Sequence, residues 1–483
     1  MSNRYPAVAY SVTLRVAYKN IPGHLGVITT EIGKVGGDIG AIDIVSTSSG
    51  TMIRDITVNA RDIDHGAEIV STIDVIDGVS VRSVSDPTFL LHLGGKITMA
   101  SKIPVKTRND LSLAYTPGVA RVSMAINSDP SAVWSLTSKS NTVAVVTDGT
   151  AVLGLGNIGP AAAMPVMEGK AMLFKELAGV NSWPICLNTS DPEKIIEIVK
   201  HISPGFGGIN LEDIAAPNCF YVEERLREEL DIPVFHDDQH GTAIVVLAAL
   251  YNALEVVGKK IDQIKIVMSG AGAAGLATAK LMNQAGVSNI VGYDREGILH
   301  SGIEFDGHPG KLWFAEKGNI HDYRGDLKGA MRNADVFIGL SGPNVLNVDH
   351  LKVMAKDSIV FAMANPDPEI EPESAVPYVR VIATGRSDYA NQINNVLAFP
   401  GVFRGILDSR SKGVNDEMKI AAAWAIASAI PRRHLNEEYI IPSVFDKSVV
   451  RRVATAVAKA ARTTGMAQAK RSKTTEIAEL LHK

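Results

Sequence analysis

The spacing of hydrophobic and polar residues predicts three kinds of unit along this chain. The first 85 or so residues show short alternating runs and short helical periods in the order β-α-β-β-α-β, which is typical of a ferredoxin-like sandwich. From about residue 97, helical periods alternate with short apolar runs, as in a parallel sheet covered by helices. From about Asp416 the pattern is helical and rich in alanine. We therefore predict an α/β protein with a small N-terminal sandwich and C-terminal helices.

The predicted elements of the N-terminal sandwich are short and well separated. Their expected bounds are 11–18, 39–45, 51–58 and 79–84 for the strands and 27–35 and 64–76 for the helices. Asp86-Pro87 then indicates a linker.

Two acidic pairs follow short apolar runs in the middle of the chain. Glu212-Asp213 comes after FGGINL, and Asp237-Asp238 comes after IPVF and a histidine. Crowded carboxylates repel one another unless they are protonated or share a cation. The carboxyl ends of parallel strands form the edge at which such sheets bind ligands. The pairs therefore predict a site for a hard divalent ion, Mg²⁺ or Mn²⁺.

Two alternatives to this metal site stay open on the residues alone. His236 and His240 flank the second acidic pair and would suit zinc, although no cysteine joins them. The four acids could also be solvated loop residues or helix caps.

A glycine-rich turn predicts a dinucleotide site. Gly270-Ala271-Gly272-Ala273-Ala274-Gly275 follows the strand-like run IKIVMS and opens a helical pattern. The glycines allow the tight turn, the approach of a pyrophosphate and close packing of helix on strand. Asp294 ends the next strand and is placed to bind the ribose hydroxyls, which favours NAD, whereas Arg295 beside it would suit the 2′-phosphate of NADP.

Other loops bear on the same cofactor. A second glycine match, Gly154 to Gly159, is less convincing, because it follows a predicted hairpin with Asp148-Gly149 at its turn. Two later strand-like runs end in polar loops that place Ser341 and Asn365 for contact with the nicotinamide half.

Lys170 and Tyr115 are candidate proton-transfer groups. Lys170 shares a helical stripe with apolar residues, so we expect a partly desolvated ammonium with a lowered pKa that can act as a base. The alternative is a lysine that extends to solvent, and Lys175 on the same helix shows that position alone does not decide.

Composition restricts the class of protein further. The chain has 483 residues, of which 46% are hydrophobic and 21% charged, with a formal net charge of −4. This balance gives no reason to expect nucleic acid as a partner, and the predicted elements include no membrane span or signal peptide. Two cysteines, Cys186 and Cys219, fit a reducing compartment, so we expect a cytoplasmic protein.

The basic residues near the C-terminus form another stripe. It is more typical of a solvated helix face than of an anion site, and it comprises Lys447, Arg451, Arg452, Lys459, Arg462, Lys470, Arg471 and Lys473.

The N-terminal segment resembles ACT domains. The resemblance covers the whole predicted sandwich and includes the turn from Asn20 to Gly26, NIPGHLG. It implies binding of a small effector at a dimer interface; a dimerisation module without a ligand is the alternative.

The rest of the chain, from about residue 97 to beyond 405, resembles the malic enzymes of the shorter prokaryotic type. The motifs are YTPGVA, GLGNIGP, EGKAMLFK, LEDI, FHDDQHGTA, GAGAAG, ANPDPE and NQINNVLAFPG. The resemblance implies oxidative decarboxylation of malate to pyruvate and carbon dioxide with NAD or NADP and a divalent metal. We also expect a homodimer or a higher homo-oligomer.

The resemblance assigns a role to each group. Glu212, Asp213 and Asp238 would be metal ligands, Lys170 the base supported by Asp237, and Tyr115 the acid, while Asn365, Asn394 and Asn395 would lie at the substrate carboxylates. One departure concerns Ala151, where longer malic enzymes have an arginine that binds a substrate carboxylate. Malolactic-type enzymes share these motifs, and a nucleotide-sensing regulatory protein is the alternative from another class.

These assignments define three expected domains. They are an ACT-like domain at 1–88, a catalytic and metal-binding domain at 89–244 that is completed by helices in 400–483, and a Rossmann-type NAD(P)-binding domain at 245–399.

Overall fold

The computed structural model describes residues 6–48, 50–305, 308–386 and 388–468. The chain divides after Met99 into two compact units. The N-terminal unit includes a short helix after the predicted linker, which packs against the first strand.

The N-terminal unit is a four-stranded antiparallel sheet in the order β2-β3-β1-β4 with two helices between its strands. Its elements are β1 (Ala7–Lys19), α1 (His24–Lys34), β2 (Asp38–Thr47), β3 (Thr51–Ala60), α2 (Ile63–Asp74), β4 (Val79–Ser85) and α3 (Pro87–His92). Leu14, Val16, Ile28, Ile56 and Ile69 are fully buried between sheet and helices. The predicted ferredoxin-like order is therefore confirmed.

The second unit begins with helices and a parallel sheet in the order β6-β5-β7-β8. Its elements are α4 (Arg108–Ala114), α5 (Val119–Ser128), α6 (Val133–Leu136), β5 (Thr142–Thr147), α7 (Pro160–Ala178), β6 (Asn181–Cys186), α8 (Pro192–Ile202), β7 (Gly208–Leu211), α9 (Asn218–Glu229) and β8 (Val234–His236).

The predicted hairpin at Asp148-Gly149 is wrong. All six residues of β5 are buried, and β5 pairs in parallel with β6 and β7 on its two sides. A hairpin partner would need one of these occupied edges. The residues after β5 instead form a loop with a single bridge between Val152 and Gly156.

A six-stranded sheet follows in the order β11-β10-β9-β12-β13-β14, parallel except at β11. Its elements are α10 (Thr242–Val257), β9 (Lys265–Ser269), α11 (Ala273–Gln284), β10 (Asn289–Asp294), β11 (Gly297–Ile298), α12 (Pro309–Trp313), α13 (Leu327–Met331), β12 (Val336–Gly339), α14 (Val348–Leu351), β13 (Ile359–Ala362), α15 (Pro372–Ala375) and β14 (Val381–Thr384). With the turn before it, α10 is long and apolar enough to cross a membrane by length and composition alone, but most of it is buried in the core.

Three helices near the C-terminus lie within the described part of the second unit. They are α16 (Phe399–Ser409), α17 (Asp416–Ala427) and α18 (Lys447–Thr463), and both α16 and α17 pack against α18. Of the predicted basic stripe, Lys470, Arg471 and Lys473 lie outside the described residues.

Aromatic packing joins the C-terminal helices to the first parallel sheet. The Phe174 ring of α7 meets the rings of Phe399 and Phe403 edge to face, with centroids 4.8 and 5.1 Å apart. Phe403 also meets Phe235 of β8 at 5.7 Å. This cluster fixes α7 beside the carboxyl end of β8.

Replacing Phe174 by alanine is expected to destabilise the second unit by about 3–5 kcal/mol, because it leaves a cavity between α7 and α16. Urea unfolding followed by tryptophan fluorescence measures this change. Phe445→Ala is the matched control, since Phe445 is 85% exposed and its loss should change stability by less than about 0.5 kcal/mol. Equal effects of the two substitutions would contradict the role of the aromatic cluster.

Candidate active site

Two neighbouring strand ends bring the acidic pairs together. Strands β7 and β8 pair in parallel, and Glu212 and Asp213 follow the first while a π-helical turn, Asp237–Gly241, follows the second. Asp213 has a left-handed backbone, φ 54°, and its N–H donates to Asp238 Oδ2 at 2.9 Å. The turn needs glycine at position 241, where a Cβ would lie 1.9 Å from Asp237 Oδ1. Local backbone geometry therefore aims the carboxylates at one point.

Three of these carboxylates form a cluster suited to a cation. One oxygen each from Glu212, Asp213 and Asp238 lies within 4.8 Å of the others. Asp213 Oδ2 is buried and has no hydrogen-bond partner among the described residues. An all-oxygen set with an unsatisfied buried oxygen fits Mg²⁺ or Mn²⁺.

Burial and mutual repulsion raise the pKa of each carboxyl in the cluster. Burial and the charge of Asp238 raise the pKa of Glu212 to about 7. The same causes, with Glu212 added, raise the pKa of Asp213 to about 9. Burial and the charge of Asp237 raise the pKa of Asp238 to about 6. Without a cation, these acids hold protons that ordinary surface carboxyls would have released, because their charges are poorly solvated.

Lys170 lies beside this cluster. Its side chain is 7% exposed, and Nζ is 2.6 Å from Asp237 Oδ2 and 2.9 Å from Glu212 Oε1. The ammonium also lies over the Phe399 ring, 4.0 Å from the centroid. The alternative in which Lys170 extends to solvent is therefore wrong.

The expected lowering of the Lys170 pKa is also wrong. Burial lowers this pKa, but the charges of Asp237 and Glu212 outweigh burial, and the pKa is raised. The periodicity of α7 predicted the apolar surroundings but not the two carboxylates, which come from positions 42 and 67 residues later in the chain.

The predicted substrate asparagines occupy different environments. Asn395 Nδ2 donates to Asp237 Oδ2, so it touches the lysine–carboxylate pair directly. The Asn394 side chain accepts from the Val396 N–H at 2.9 Å and begins a short 3₁₀ turn. Asn365 is exposed, and its carbonyl oxygen would lie 2.8 Å from a Cβ at Gly154. The second glycine match thus packs against the loop that carries Asn365.

The dinucleotide turn has the geometry expected from its glycines. Gly270 has φ 106°, and a Cβ there would lie 2.4 Å from the carbonyl oxygen of Leu340. A Cβ at Gly275 would lie 1.9 Å from the Gly270 carbonyl oxygen. Among the described residues, no atom beyond its chain neighbours lies within 4 Å of a Cβ built at Gly272. Helix α11 begins at the next residue, Ala273, and Ala274 lies in its first turn. An unobstructed Gly272 at a helix start leaves room for a pyrophosphate.

Asp294 ends β10, as predicted, but it is already paired. Lys311 Nζ of α12 is 2.9 Å from Asp294 Oδ2 and 2.6 Å from Glu296 Oε2. Arg295 between the two acids is exposed. Lys311 was missed because the sequence does not show that α12 folds back against the end of β10.

Glu369 is a second residue that the sequence analysis missed. It is fully buried and accepts from the N–H groups of Ser341 at 3.2 Å and Ala364 at 3.0 Å. The Ser341 hydroxyl also bonds to Ser269 at 2.7 Å. Glu369 therefore ties the loops after β12 and β13 together where Ser341 was predicted to meet the cofactor. The sequence did contain a signal for this residue, since Glu369 is the last acid of the motif ANPDPE.

The zinc alternative has little support in the geometry. His240 Nε2 is 2.7 Å from Glu223 Oε1, and burial lowers the pKa of His240 to about 4, so a neutral imidazole binds this carboxylate. His236 is fully buried with its Nδ1 3.6 Å from Asp238. Among the described residues, the only group of three or more possible metal ligands contains no histidine.

Tyr115 is not brought to the cluster within one chain. It follows α4 and is 67% exposed, and within the part of the chain described here it makes no hydrogen bond or ring contact with Lys170 or the carboxylates. Neighbouring apolar side chains on the same segment are also exposed, including Leu111 at 50% and Leu113 at 70%.

Comparisons with known proteins agree on one family. The family profile of the malic enzyme N-terminal domain matches residues 94–227, and that of the malic enzyme NAD binding domain matches residues 239–462. The NAD-binding profile spans the turn at Gly270 and the six-stranded sheet.

Individual relatives extend this match over nearly the whole chain. An NAD-dependent malic enzyme from Geobacillus stearothermophilus is 58% identical over 460 residues, covering 95% of this chain and 96% of the relative. A bifunctional malic/malolactic enzyme from Bacillus subtilis is 56% identical, covering 77% and 92%. The crystal structure of malic enzyme from Pyrococcus horikoshii is 50% identical with a TM-score of 0.75, covering 80% and 92%. The chain belongs to the malic enzyme family.

Proposed function

We propose that this protein catalyses the oxidative decarboxylation of malate to pyruvate and carbon dioxide, with NAD as hydride acceptor and a divalent metal ion. The observation that carries the proposal is the contact of Lys170 with Asp237 and Glu212 beside the carboxylate cluster. A relative covering nearly all of the chain is named an NAD-dependent malic enzyme. Each part of the reaction has a candidate group.

Glu212, Asp213 and Asp238 would hold Mg²⁺ or Mn²⁺. When bound, the ion supplies Lewis acidity to oxygen atoms of the substrate and favours loss of the neighbouring carboxylate. Asn210 Nδ2 donates to Glu212 Oε2 at 2.8 Å and so leaves the other oxygen, Oε1, toward Lys170. Ordered partners behind a ligand fix its orientation.

After passing its ammonium proton to Asp237, whose Oδ2 lies 2.6 Å from Nζ, Lys170 would take the proton of the malate hydroxyl as hydride leaves C2 for NAD. Lys170 Nζ donates to Asp237 Oδ2, and Asn395 donates to the same oxygen, so Asp237 holds the end of the lysine side chain in place. Tyr115 would supply the proton that C3 takes up after carbon dioxide leaves. Asn365, Asn394 and Asn395 are the proposed contacts of the substrate carboxylates. The backbone N–H of Ala151 donates to the Asp213 carbonyl oxygen at 3.0 Å. Its methyl side chain cannot bind a substrate carboxylate as the arginine of longer malic enzymes does.

The cofactor would lie on Gly270, Gly272, Ala273, Ala274 and Gly275, with its ribose toward Asp294. NAD is favoured because Asp294 repels a 2′-phosphate. Lys311 pairs with Asp294 and, together with Arg295, offers the positive charge that NADP would need. NADP therefore stays the alternative cofactor. Ser341 and Asn365 are proposed at the nicotinamide end.

The malolactic reaction is the second candidate function. A relative 56% identical to this chain is named a bifunctional malic/malolactic enzyme. That reaction would use the same groups but return the hydride to the 2-oxo product and release lactate.

The N-terminal unit is proposed as an ACT-type domain that binds a small effector. Its support is the βαββαβ order and the turn before α1, where Gly23 has φ 96°.

We also propose a homo-oligomer, at least a dimer. The exposed apolar side chains of residues 103–124, with Tyr115 among them, form a surface that a second copy would cover. The proposed domains remain 1–88, 89–244 with 400–483, and 245–399, and the protein is expected in the cytoplasm.

Product analysis distinguishes the two candidate functions. With malate, NAD and Mn²⁺, we expect one NADH and one pyruvate for each malate consumed, measured by absorbance and chromatography. The same assay without protein is the control. Lactate formed without net NADH would contradict the oxidative reaction and support the malolactic one.

Asp238→Asn should weaken Mn²⁺ binding by more than about tenfold, since even the groups behind a ligand are commonly worth about 10- to 100-fold. Electron paramagnetic resonance of free Mn²⁺ measures the affinity. Asp231→Asn makes the same chemical change at an exposed residue before the same strand and should bind Mn²⁺ normally. Normal affinity in Asp238→Asn would remove this residue from the metal site.

Lys170→Ala should lower kcat for malate by about 10²- to 10⁴-fold, the usual contribution of general acid–base catalysis. NAD affinity, measured by fluorescence, should stay unchanged and also reports an intact fold. Lys175→Ala is the control, because Lys175 is exposed on the same helix and its Nζ bonds only to the Asn181 side chain, at 2.8 Å, among the described residues. An active Lys170→Ala protein would rule out the proposed base.

A further inference from the structure

The basic side chains of α18 separate onto two sides of the helix. Lys447 and Arg462 line a hollow of about 460 Å³ between α16 and α18. Arg452 and Lys459 line a different groove, between α17 and α18. Arg451 borders both. The predicted stripe is therefore not a uniform solvated face.

Small side chains produce the hollow between α16 and α18. Val450, Ala454 and Ala458 recur every four residues and so share one face of α18. The two alanines leave space that a larger side chain would fill. Leu177 and Ala178, at the end of α7, form another part of the wall. The floor is thus apolar, while the rim carries charge.

The rim has a strong excess of positive charge. Arg404, Lys447, Arg451 and Arg462 surround the hollow, and Asp408 is the only acidic residue that lines it. Asp408 is engaged, because its Oδ1 accepts from Arg404 Nη2 at 2.7 Å. Within the described ranges, Lys447, Arg451 and Arg462 form no salt bridge. Three cations that have no carboxylate partner among the described residues converge here, in a chain whose net charge is −4.

Arg404 gives this rim a fixed element. Its side chain is 20% exposed, and it is held by Asp408 and by the side-chain oxygen of Asn141. A held guanidinium loses less rotamer freedom on binding a ligand than a free one. The remaining three cations reach the hollow from separate turns of α18.

We infer that this hollow binds a phosphate-bearing small molecule. Guanidinium groups match the oxygen atoms of phosphate in pairs, and a lysine adds a point charge. A volume of about 460 Å³ lies within the ordinary range for small-molecule sites. The phosphate would meet the cationic rim, and the carbon part would lie on Val450 and the alanines.

The hollow is connected to the candidate active site by single helices. Leu177 in its wall lies seven residues after Lys170 on α7, about 10 Å along the helix axis. Helix α16, which carries Arg404, begins with Phe399 under the Lys170 ammonium. The site is thus placed to influence the lysine, although the binding itself does not depend on the proposed reaction.

Isothermal titration of the full-length protein with inorganic pyrophosphate tests this inference. Saturating NAD occupies the dinucleotide turn, a chelator removes divalent metal, and ionic strength is held constant. Wild-type protein should show one saturable site. The double variant Lys447→Gln with Arg462→Gln should bind at least ten times more weakly, because two rim charges are lost.

The matched control is the double variant Arg452→Gln with Lys459→Gln. It removes the same charge from the same helix, but on the side of the other groove, and should keep the wild-type affinity within twofold. All four residues are exposed, and circular dichroism confirms that each variant is folded. Absence of saturable binding to wild type, equal weakening in both variants, or full affinity in the first variant would overturn the inference. Citrate that binds as tightly as pyrophosphate would overturn the assignment to phosphate.

Discussion

The desolvation of carboxylates at the ends of β7 and β8 is the constraint on which the site depends. Glu212, Asp213 and Asp237 are each 5% exposed or less, and Asp238 joins them from the adjacent strand end. Each buried charge costs several kcal/mol unless it is paired. Lys170 balances one negative charge, so the remaining carboxylates need either protons or a cation. That requirement explains both the raised carboxyl pKa values and the suitability of the site for a divalent ion.

The packing around these charges keeps them from separating. Phe174, Phe399 and Phe403 hold α7 against α16, and Lys170 projects from the same face of α7 as Phe174. The π-helical turn after β8 is closed by Gly241, which allows Asp237 to turn inward. Glu223, itself buried, binds the His240 side chain of that turn. Contacts from both the sheet and the helices therefore hold the charged side chains close together.

The sequence predicted most of the fold because local pattern and turn chemistry agree with the final arrangement. The N-terminal βαββαβ order, the strand–turn–helix at Gly270 and the strand ends at Glu212 and Asp237 were all visible in apolar runs and glycines. The hairpin at Asp148-Gly149 was wrong because the sequence does not reveal that both edges of β5 are occupied.

What the sequence could not supply were contacts between distant residues. Burial lowers the pKa of Lys170, but the charges of Asp237 and Glu212 outweigh burial and raise it. The ion-pair partner of Asp294 is Lys311, which lies on a different element. Glu369 ties together the loops after β12 and β13, and its two backbone partners lie 28 and 5 residues earlier in the chain. Tyr115 remains exposed in the single chain, so its proposed role depends on a contact that one chain does not make.

The most direct test of the metal site is anomalous diffraction at the manganese edge from crystals soaked in Mn²⁺. The account predicts one strong peak per chain within bonding distance of Glu212, Asp213 and Asp238, with Lys170 still beside Asp237. A peak bound instead by His236 or His240, or no peak between the two strand ends, would contradict it.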